Sequence, residues 1–251
     1  MQFPAKRTRR LLLVALAVFV LVLGLNYPAK WLKPFLPRSL RCAELSGSLW
    51  SGSCTAMALQ GRLVGDTAWT LRGLPLLAGR LAGALAMVQP RASASADFEL
   101  TFLGSLTARN VHAQLPLDPS LVPQLPPNLR GDARIELVQL RIVRGRITQL
   151  RGRIEAHDLA QLGASPLQLG SFEVRFDSPP QQNGDIGGVV RDLGGPFAFD
   201  GVLKLTPEPG YVLEGNIAAR SAAPADLVRQ LQILGQPDAA GRRPISFAGT
   251  F

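Results

Sequence analysis

Hydrophobic and polar residues alternate along much of the chain beyond Leu40, in the pattern that half-buried β-strands produce. Every second residue is a large apolar one over residues 98–102 and again over residues 172–176. Over residues 135–143 the apolar positions change phase by one residue, which indicates a β-bulge. The pattern predicts a mainly β protein whose principal element is a curved, twisted antiparallel sheet.

The last third of the chain adds a hairpin and a helix to this picture. Apolar positions share one face over residues 197–205 and again over 211–217, with Pro-Glu-Pro-Gly between them, which predicts a hairpin. A short C-terminal helix is predicted from Pro224, with Asp226 in its first turn and Gly235 as its stop. Residues 75–81 and 157–162 also resemble helical turns, and the glycine-rich segments 184–188 and 192–195 resemble loop turns.

Near the N-terminus, residues 11–25 form an uninterrupted apolar run that follows a basic cluster. Fifteen helical residues rise about 22 Å, and interfacial Tyr27 and Trp31 help to match the hydrocarbon core of about 30 Å. We expect a cytoplasmic N-terminus over residues 1–10, a transmembrane helix over 11–27 and a periplasmic β-rich domain over 28–251. The expected anchor residues include Leu11, Leu12, Leu13, Val14, Phe19 and Leu25.

A cleaved signal peptide is the alternative to a retained anchor. Such a peptide ends in small residues three positions and one position before the cut. Cutting after Asn26 or after Ala29 places Asn26 or Tyr27 at one of these positions, so neither site fits well. An uncleaved anchor is therefore favoured, and in both cases the remaining chain is exported while the basic cluster stays inside.

The two cysteines, Cys42 and Cys54, bracket a stretch that has the pattern of two short strands around a turn. In an oxidising periplasm a disulfide would close this hairpin. The alternative is a pair of buried free thiols. A zinc site is not expected, because His112 and His157 do not lie at a metal-ligand spacing from the cysteines.

The net charge of +9 raises the question of nucleic-acid binding, but the placement of the charges argues against it. The arginines are dispersed along the chain, and the one dense basic cluster flanks the apolar run. Two tyrosines and three tryptophans are too few for an aromatic stacking platform. No nucleic-acid partner is expected.

Catalytic chemistry is not expected either. Neither His112 nor His157 has a recognisable nucleophile or acid partner, and no Gly-Lys-Ser/Thr follows the glycine-rich segments. We therefore expect no enzyme activity, no cofactor and no catalytic or metal residue. Trp50 and Trp69 remain as candidates for interaction, although their positions near the predicted hairpins favour roles as core aromatics.

Taken in order, several segments resemble the type II secretion system protein N family, also called general secretion pathway protein N. The basic anchor comes first, and the Leu-Ser-Gly-Ser-Leu-Trp-Ser-Gly stretch follows it soon after. The segments that carry the resemblance are residues 45–52, 68–72, 76–81, 192–196, 201–205 and 231–242. Together they span nearly the whole chain.

The resemblance implies a non-enzymatic inner-membrane component of the machine that moves folded proteins out of the periplasm of Gram-negative bacteria. It implies contacts with other inner-membrane secretion components and with the outer-membrane secretin. The family is also similar to β-rich AsmA-type proteins, which are tied to lipid transport. The alternative function is therefore lipid binding or transport, and the sequence leaves open whether the apolar sheet face is a closed core or an open groove.

Overall fold

The computed structural model describes residues 14–15, 22, 27–35, 37, 39–118, 127–163, 166–177, 179–181, 183–207, 210–221, 223–232 and 236–250. Within them the chain is mainly β, with antiparallel strand pairs and the short C-terminal α-helix Ala225–Gln232, as the sequence predicts. The chain divides into two compact units, Met1–Gln89 and Pro90–Phe251, where the sequence pattern suggests a single periplasmic domain.

The described part of the first unit contains five strands. Its strands are β1 (Leu40–Arg41), β2 (Glu44–Gly47), β3 (Ser51–Leu59), β4 (Arg62–Arg72) and β5 (Arg80–Val88). Strand β3 pairs with β1, β2 and β4, and β4 pairs with β5. The register of β3 and β4 shifts near Ala56, whose φ of 50° marks a bulge.

A 3₁₀ segment, Ala29–Phe35, precedes the strands and packs beside the β2–β3 hairpin. The N–H of Leu49 donates to the carbonyl of Tyr27 at 2.9 Å, and Pro28 forms a bridge with Ser48. Ala29 is fully buried in consequence. The segment just after the predicted anchor is therefore fixed to the first unit.

The predicted anchor itself falls almost entirely on residues that the structure does not describe. Leu11, Leu12, Leu13, Phe19 and Leu25 lie outside the described residues, whereas Val14 is helical and exposed. Among the described helices, none combines the length and the hydropathy that a membrane span requires. The anchor remains a prediction from the sequence.

In the residues that the structure describes, the second unit is a meander of nine strands, and each strand pairs with the next one along the chain. The strands are β6 (Ser93–Thr101), β7 (Ser105–Pro116), β8 (Leu129–Val143), β9 (Arg146–Gln161), β10 (Leu167–Phe176), β11 (Ile186–Asp192), β12 (Phe197–Thr206), β13 (Gly210–Ala219) and β14 (Arg243–Thr250). Helix α1 (Ala225–Gln232) lies between β13 and β14.

The core of the second unit lies on one face of this sheet, because side chains alternate between faces along each strand. Leu137, Leu150, Phe176 and Ile186 form one buried cluster. A second cluster forms where Leu227 and Leu231 of α1 pack on Leu167 and Phe197. Much of the apolar face is thus covered by the unit's own side chains.

Several predictions about elements are confirmed. The β8–β9 register shifts between Leu137 and Gln139, at the place where the apolar pattern changes phase. The hairpin of β12 and β13 is present, and the C-terminal helix begins directly after Pro224. Its predicted stop, Gly235, lies outside the described residues.

Two local predictions are wrong, and a third is confirmed in part. Residues 157–161 belong to strand β9 rather than to a helix. The helical turn predicted over residues 75–81 is present as a 3₁₀ segment, Leu74–Ala78, but it ends earlier than predicted because β5 begins at Arg80. Gly187 and Gly188 lie inside β11 rather than in a turn, because the Phe176 ring occupies the space where a Gly188 side chain would stand.

Candidate interaction surfaces

The β2–β3 hairpin of the first unit carries the disulfide that the sequence suggests. Cys42 and Cys54 are bonded, with their Cα atoms 5.7 Å apart, and Cys54 is buried on β3. At the turn, the N–H of Ser51 donates to the Ser48 hydroxyl at 3.1 Å, and the N–H of Ser48 donates to the Ser51 carbonyl at 2.8 Å. The covalent link and the turn together fix both ends of this hairpin.

Trp69, one of the two candidate interaction residues, holds the hairpin to β4. Its indole Nε1–H donates to the carbonyl of Leu49 at 3.0 Å. Its ring covers Gly52, since a Cβ atom placed there would lie 2.4 Å from Trp69 Cζ2. These contacts give Trp69 a structural role, which explains its presence without a role in binding.

Trp50, the other candidate, lies half-buried beside a strongly exposed apolar segment. Its carbonyl accepts a hydrogen bond from the N–H of Leu71 at 2.6 Å, and its ring lies against Gly73. Gly73 begins the 3₁₀ segment, in which Leu74 and Leu77 are 82% and 89% exposed. We call Trp50, Leu74 and Leu77 the leucine patch.

The leucine patch owes its shape to local sequence. Pro75 favours a helical start, and Gly79 ends the segment in the left-handed region, with a φ of 69° and its N–H donating to the Leu76 carbonyl. The chain then turns into β5 before it completes a helix. The sequence indicated a turn of helix here, but the outward direction of both leucines depends on the short 3₁₀ geometry.

A charged cluster occupies the polar face of the second unit. Glu136 on β8, Arg153 on β9 and Arg175 on β10 line a shallow cavity of about 460 Å³, together with Asn110 and His112 on β7. These side chains come together because they occupy the polar alternate positions of four adjacent strands.

Within this cluster the charges neutralise each other. Arg153 donates to Glu136 at 2.7 Å and lies 3.5 Å from Glu155, while Arg175 donates to Glu173 at 2.8 Å. Glu155 faces Glu173 across β9 and β10, and Arg153 faces Arg175 in the same way. The hydrogen bond and charge of Glu136 raise the pKa of Arg153 further above its ordinary value. Opposite charges thus compensate two like-charge pairs.

The cluster does not assemble a recognisable catalytic group. His157 Nε2 lies 2.9 Å from Glu155, but no serine, threonine or cysteine is hydrogen-bonded to this histidine in the described residues. His112 lines the cavity, and the described residues include no group of three or more His, Cys, Asp and Glu that is arranged to hold a metal ion. The arrangement is that of a paired, solvated sheet face.

Comparison with known proteins gives the family of the chain. A family model for "Type II secretion system (T2SS), protein N" matches residues 38–246. Two curated relatives carry the name type II secretion system protein N. The relative from Vibrio cholerae serotype O1 is 29% identical over 231 residues, which cover 85% of this chain and 86% of the relative. The relative from Aeromonas hydrophila is 24% identical over 227 residues, with 86% of each chain covered.

No solved structure matches the chain. The family match nevertheless spans most of both structural units, including the disulfide hairpin, the leucine patch and the charged cluster. The chain belongs to the type II secretion system protein N family.

Proposed function

We propose that this chain is a non-enzymatic inner-membrane component of the type II secretion system, which supports export of folded periplasmic proteins through protein contacts. The observation that carries the proposal is the leucine patch, where two leucines are almost fully exposed beside a tryptophan. Exposed apolar side chains grouped at one place are typical of protein interaction sites. Family membership identifies the machine in which such a contact would act.

The proposed location draws on two separate features. The apolar run at residues 11–25 suits an inner-membrane anchor with the basic N-terminus in the cytoplasm. The Cys42–Cys54 disulfide suits an oxidising compartment for the body of the chain. Both features support a single-pass protein whose contacts with inner-membrane components, and with the outer-membrane secretin, are made in the periplasm.

A complementation experiment tests the proposed function. Deletion of the gene is expected to leave exoenzymes in the periplasm, and the unaltered chain is expected to restore their release into the medium. The Leu74→Ser/Leu77→Ser variant is expected to fail in this restoration, because it removes the apolar contact surface without disturbing buried residues.

The matched control is the Leu63→Ser/Val88→Ser variant, which changes two residues of the same unit that are 60% and 61% exposed. It is expected to restore secretion when both variants are present in the cell in equal amounts, as measured by immunoblot. Normal secretion from the deletion strain would refute a role in secretion. Full activity of the Leu74→Ser/Leu77→Ser variant would refute only the contact through the leucine patch and would leave the role in secretion standing.

Lipid binding is the second candidate function. It is favoured by the incomplete cover of the apolar face in the second unit, where Leu100 and Phe247 are 42% and 52% exposed. Native mass spectrometry of the purified chain, released from detergent, would detect a bound lipid. A mass equal to that of the protein alone would count against this function.

A further inference from the structure

The β6–β7 hairpin of the second unit ends in an apolar tip. Thr101, Phe102, Leu103 and Gly104 form its turn, in which the N–H of Gly104 donates to the Thr101 carbonyl at 3.0 Å. The N–H of Ser105 donates to the Thr101 hydroxyl at 3.1 Å. These two bonds fix the turn, and they leave Phe102 and Leu103 83% and 89% exposed.

Two cationic side chains lie beside this tip, on the neighbouring β8–β9 turn. Arg144 and Arg146 are exposed, and the N–H of Arg144 donates to the Gly104 carbonyl at 3.1 Å. Ser105 and Val143 are directly paired, so the two turns end at the same edge of the sheet. Neither arginine has a carboxylate partner among the residues that the structure describes.

The backbone conformation at Arg144 is one that arginine does not favour. Arg144 and Gly145 are the central residues of a two-residue turn, with φ values of 51° and 79°. Such turns favour asparagine or glycine at both positions, because an ordinary side chain is strained there. Strained positions of this kind concentrate at functional sites.

The carboxylate nearest to the tip along either hairpin does not cancel the positive charge of this surface. Glu99 lies three residues before Phe102 and faces Arg109 at 3.9 Å. The tip therefore combines two exposed large apolar side chains with two cations. Apolar residues that enter the headgroup region and arginines that pair with lipid phosphates form the usual combination of a membrane-surface contact.

We propose that this tip, formed by Phe102, Leu103, Arg144 and Arg146, docks onto a lipid bilayer that carries anionic headgroups. Phe102 and Leu103 enter the interface, while the arginines contact the headgroup phosphates. A contact of this type would give the second unit its own attachment to the membrane, in addition to the predicted anchor. The inference does not depend on the proposed role in secretion.

A fluorescent probe at the tip tests the proposal. The chain has only two cysteines, and both are in the disulfide, so Leu103→Cys adds a single reactive thiol. The full chain, labelled there with an environment-sensitive fluorophore, is placed in nanodiscs of phosphatidylcholine with or without phosphatidylglycerol. With the anionic lipid we expect the emission of the fluorophore to shift to the blue. We also expect this emission to be quenched by lipids that carry a spin label near the headgroup.

Three variants make the result specific. Replacement of both arginines, Arg144→Gln/Arg146→Gln, is expected to lower the docked-to-free ratio by about thirtyfold, since each arginine near an anionic surface contributes about fivefold. Arg144→Lys/Arg146→Lys keeps the charge and is expected to keep the docking. A probe at Ala239→Cys, in an exposed turn of the same unit, is expected to report water throughout.

Two outcomes would overturn the proposal. A water-like emission from position 103 in anionic nanodiscs would show that the tip does not reach the bilayer. An apolar emission that is equal in both lipid mixtures and is not quenched by spin-labelled lipid would indicate a protein contact, such as a second copy of the chain, instead of a membrane surface.

Discussion

Asp192 ends strand β11, and its carboxylate holds the turn into β12 together. It accepts hydrogen bonds from the N–H groups of Gly194 and Phe199, both at 3.1 Å, and from the guanidinium of Arg220. Arg220 also donates to the Gly195 carbonyl at 3.1 Å. Burial alone would raise the pKa of this carboxyl group, but the Phe199, Arg220 and Gly194 hydrogen bonds outweigh burial and hold the pKa below its ordinary 3.8.

This network predicts a pH-dependent effect of Asp192→Asn. At pH 7 the variant should be less stable than the wild type by about 1–3 kcal/mol, because hydrogen bonds to a charged group are lost. A lowered folded-state pKa gives stability that is present above the unfolded pKa and disappears as pH falls through the folded one. The difference between the two proteins should therefore shrink below about pH 4.

Urea unfolding of the detergent-solubilised chain, followed by circular dichroism at several pH values, measures this difference. Asp226→Asn is a matched control, because Asp226 is exposed and its ion pair is with Arg229 in the same helix, α1. It should change stability little at any pH. If the stability difference between the wild type and Asp192→Asn stayed the same down to the lowest pH, the stabilising role of the charged Asp192 carboxylate would be contradicted.

At the scale of elements, the Cys42–Cys54 disulfide of the first unit closes a loop between two cysteines that are 12 residues apart in sequence. Closing a loop of this length limits the unfolded chain and stabilises the fold by about 3 kcal/mol. The Cys42→Ala/Cys54→Ala variant should lose about this amount. All three tryptophans lie within residues 1–89, so tryptophan fluorescence during urea unfolding reports on the first unit. An unchanged unfolding curve would contradict the predicted contribution.

Helix α1 is attached to the second unit by its apolar side. Leu227 is 1% exposed, whereas the next residue, Val228, is 37% exposed. Leu227→Ala should therefore lower the free energy of unfolding by about 2–5 kcal/mol, and Val228→Ala should change it by less than about 1 kcal/mol. Circular dichroism during thermal unfolding of both variants measures the difference, and equal effects would show that the helix does not depend on this packing.

Several of the strands could be predicted because they have one apolar and one polar face. Residues 98–102 and 172–176 show the alternation directly, and the β8 bulge is visible as its change of phase. The prediction failed at residues 157–161 because Asp158 has a φ of 50° and the β9–β10 register shifts beside it. That slip moves Leu159 out of the alternation, so the pattern resembles a helical turn.

The interaction surfaces were less predictable, because exposure depends on which elements cover a residue. Both Trp50 and Trp69 lie near the predicted hairpins, yet Trp69 covers Gly52 and Trp50 lies beside the exposed 3₁₀ segment. Leu74 and Leu77 lie in that segment and are 82% and 89% exposed. A sequence pattern shows that these leucines are apolar, but it does not show that nothing in their unit covers them.

At the scale of the whole molecule, family membership and structure support the same type of activity. The chain belongs to the type II secretion system protein N family, and its described residues offer apolar and charged surfaces on two β-rich units. The charged cluster is internally neutralised, whereas the leucine patch exposes apolar surface that a partner could bury. Protein contact is therefore the activity that we propose for the chain.

Site-specific photo-crosslinking in secreting cells tests this central claim most directly. A photoreactive phenylalanine derivative at position 77 is expected to form an adduct that mass spectrometry identifies as another component of the secretion system. The same residue at position 63, exposed but outside the patch, is expected to form none. The absence of an adduct from position 77, in cells that release exoenzymes normally, would contradict the account.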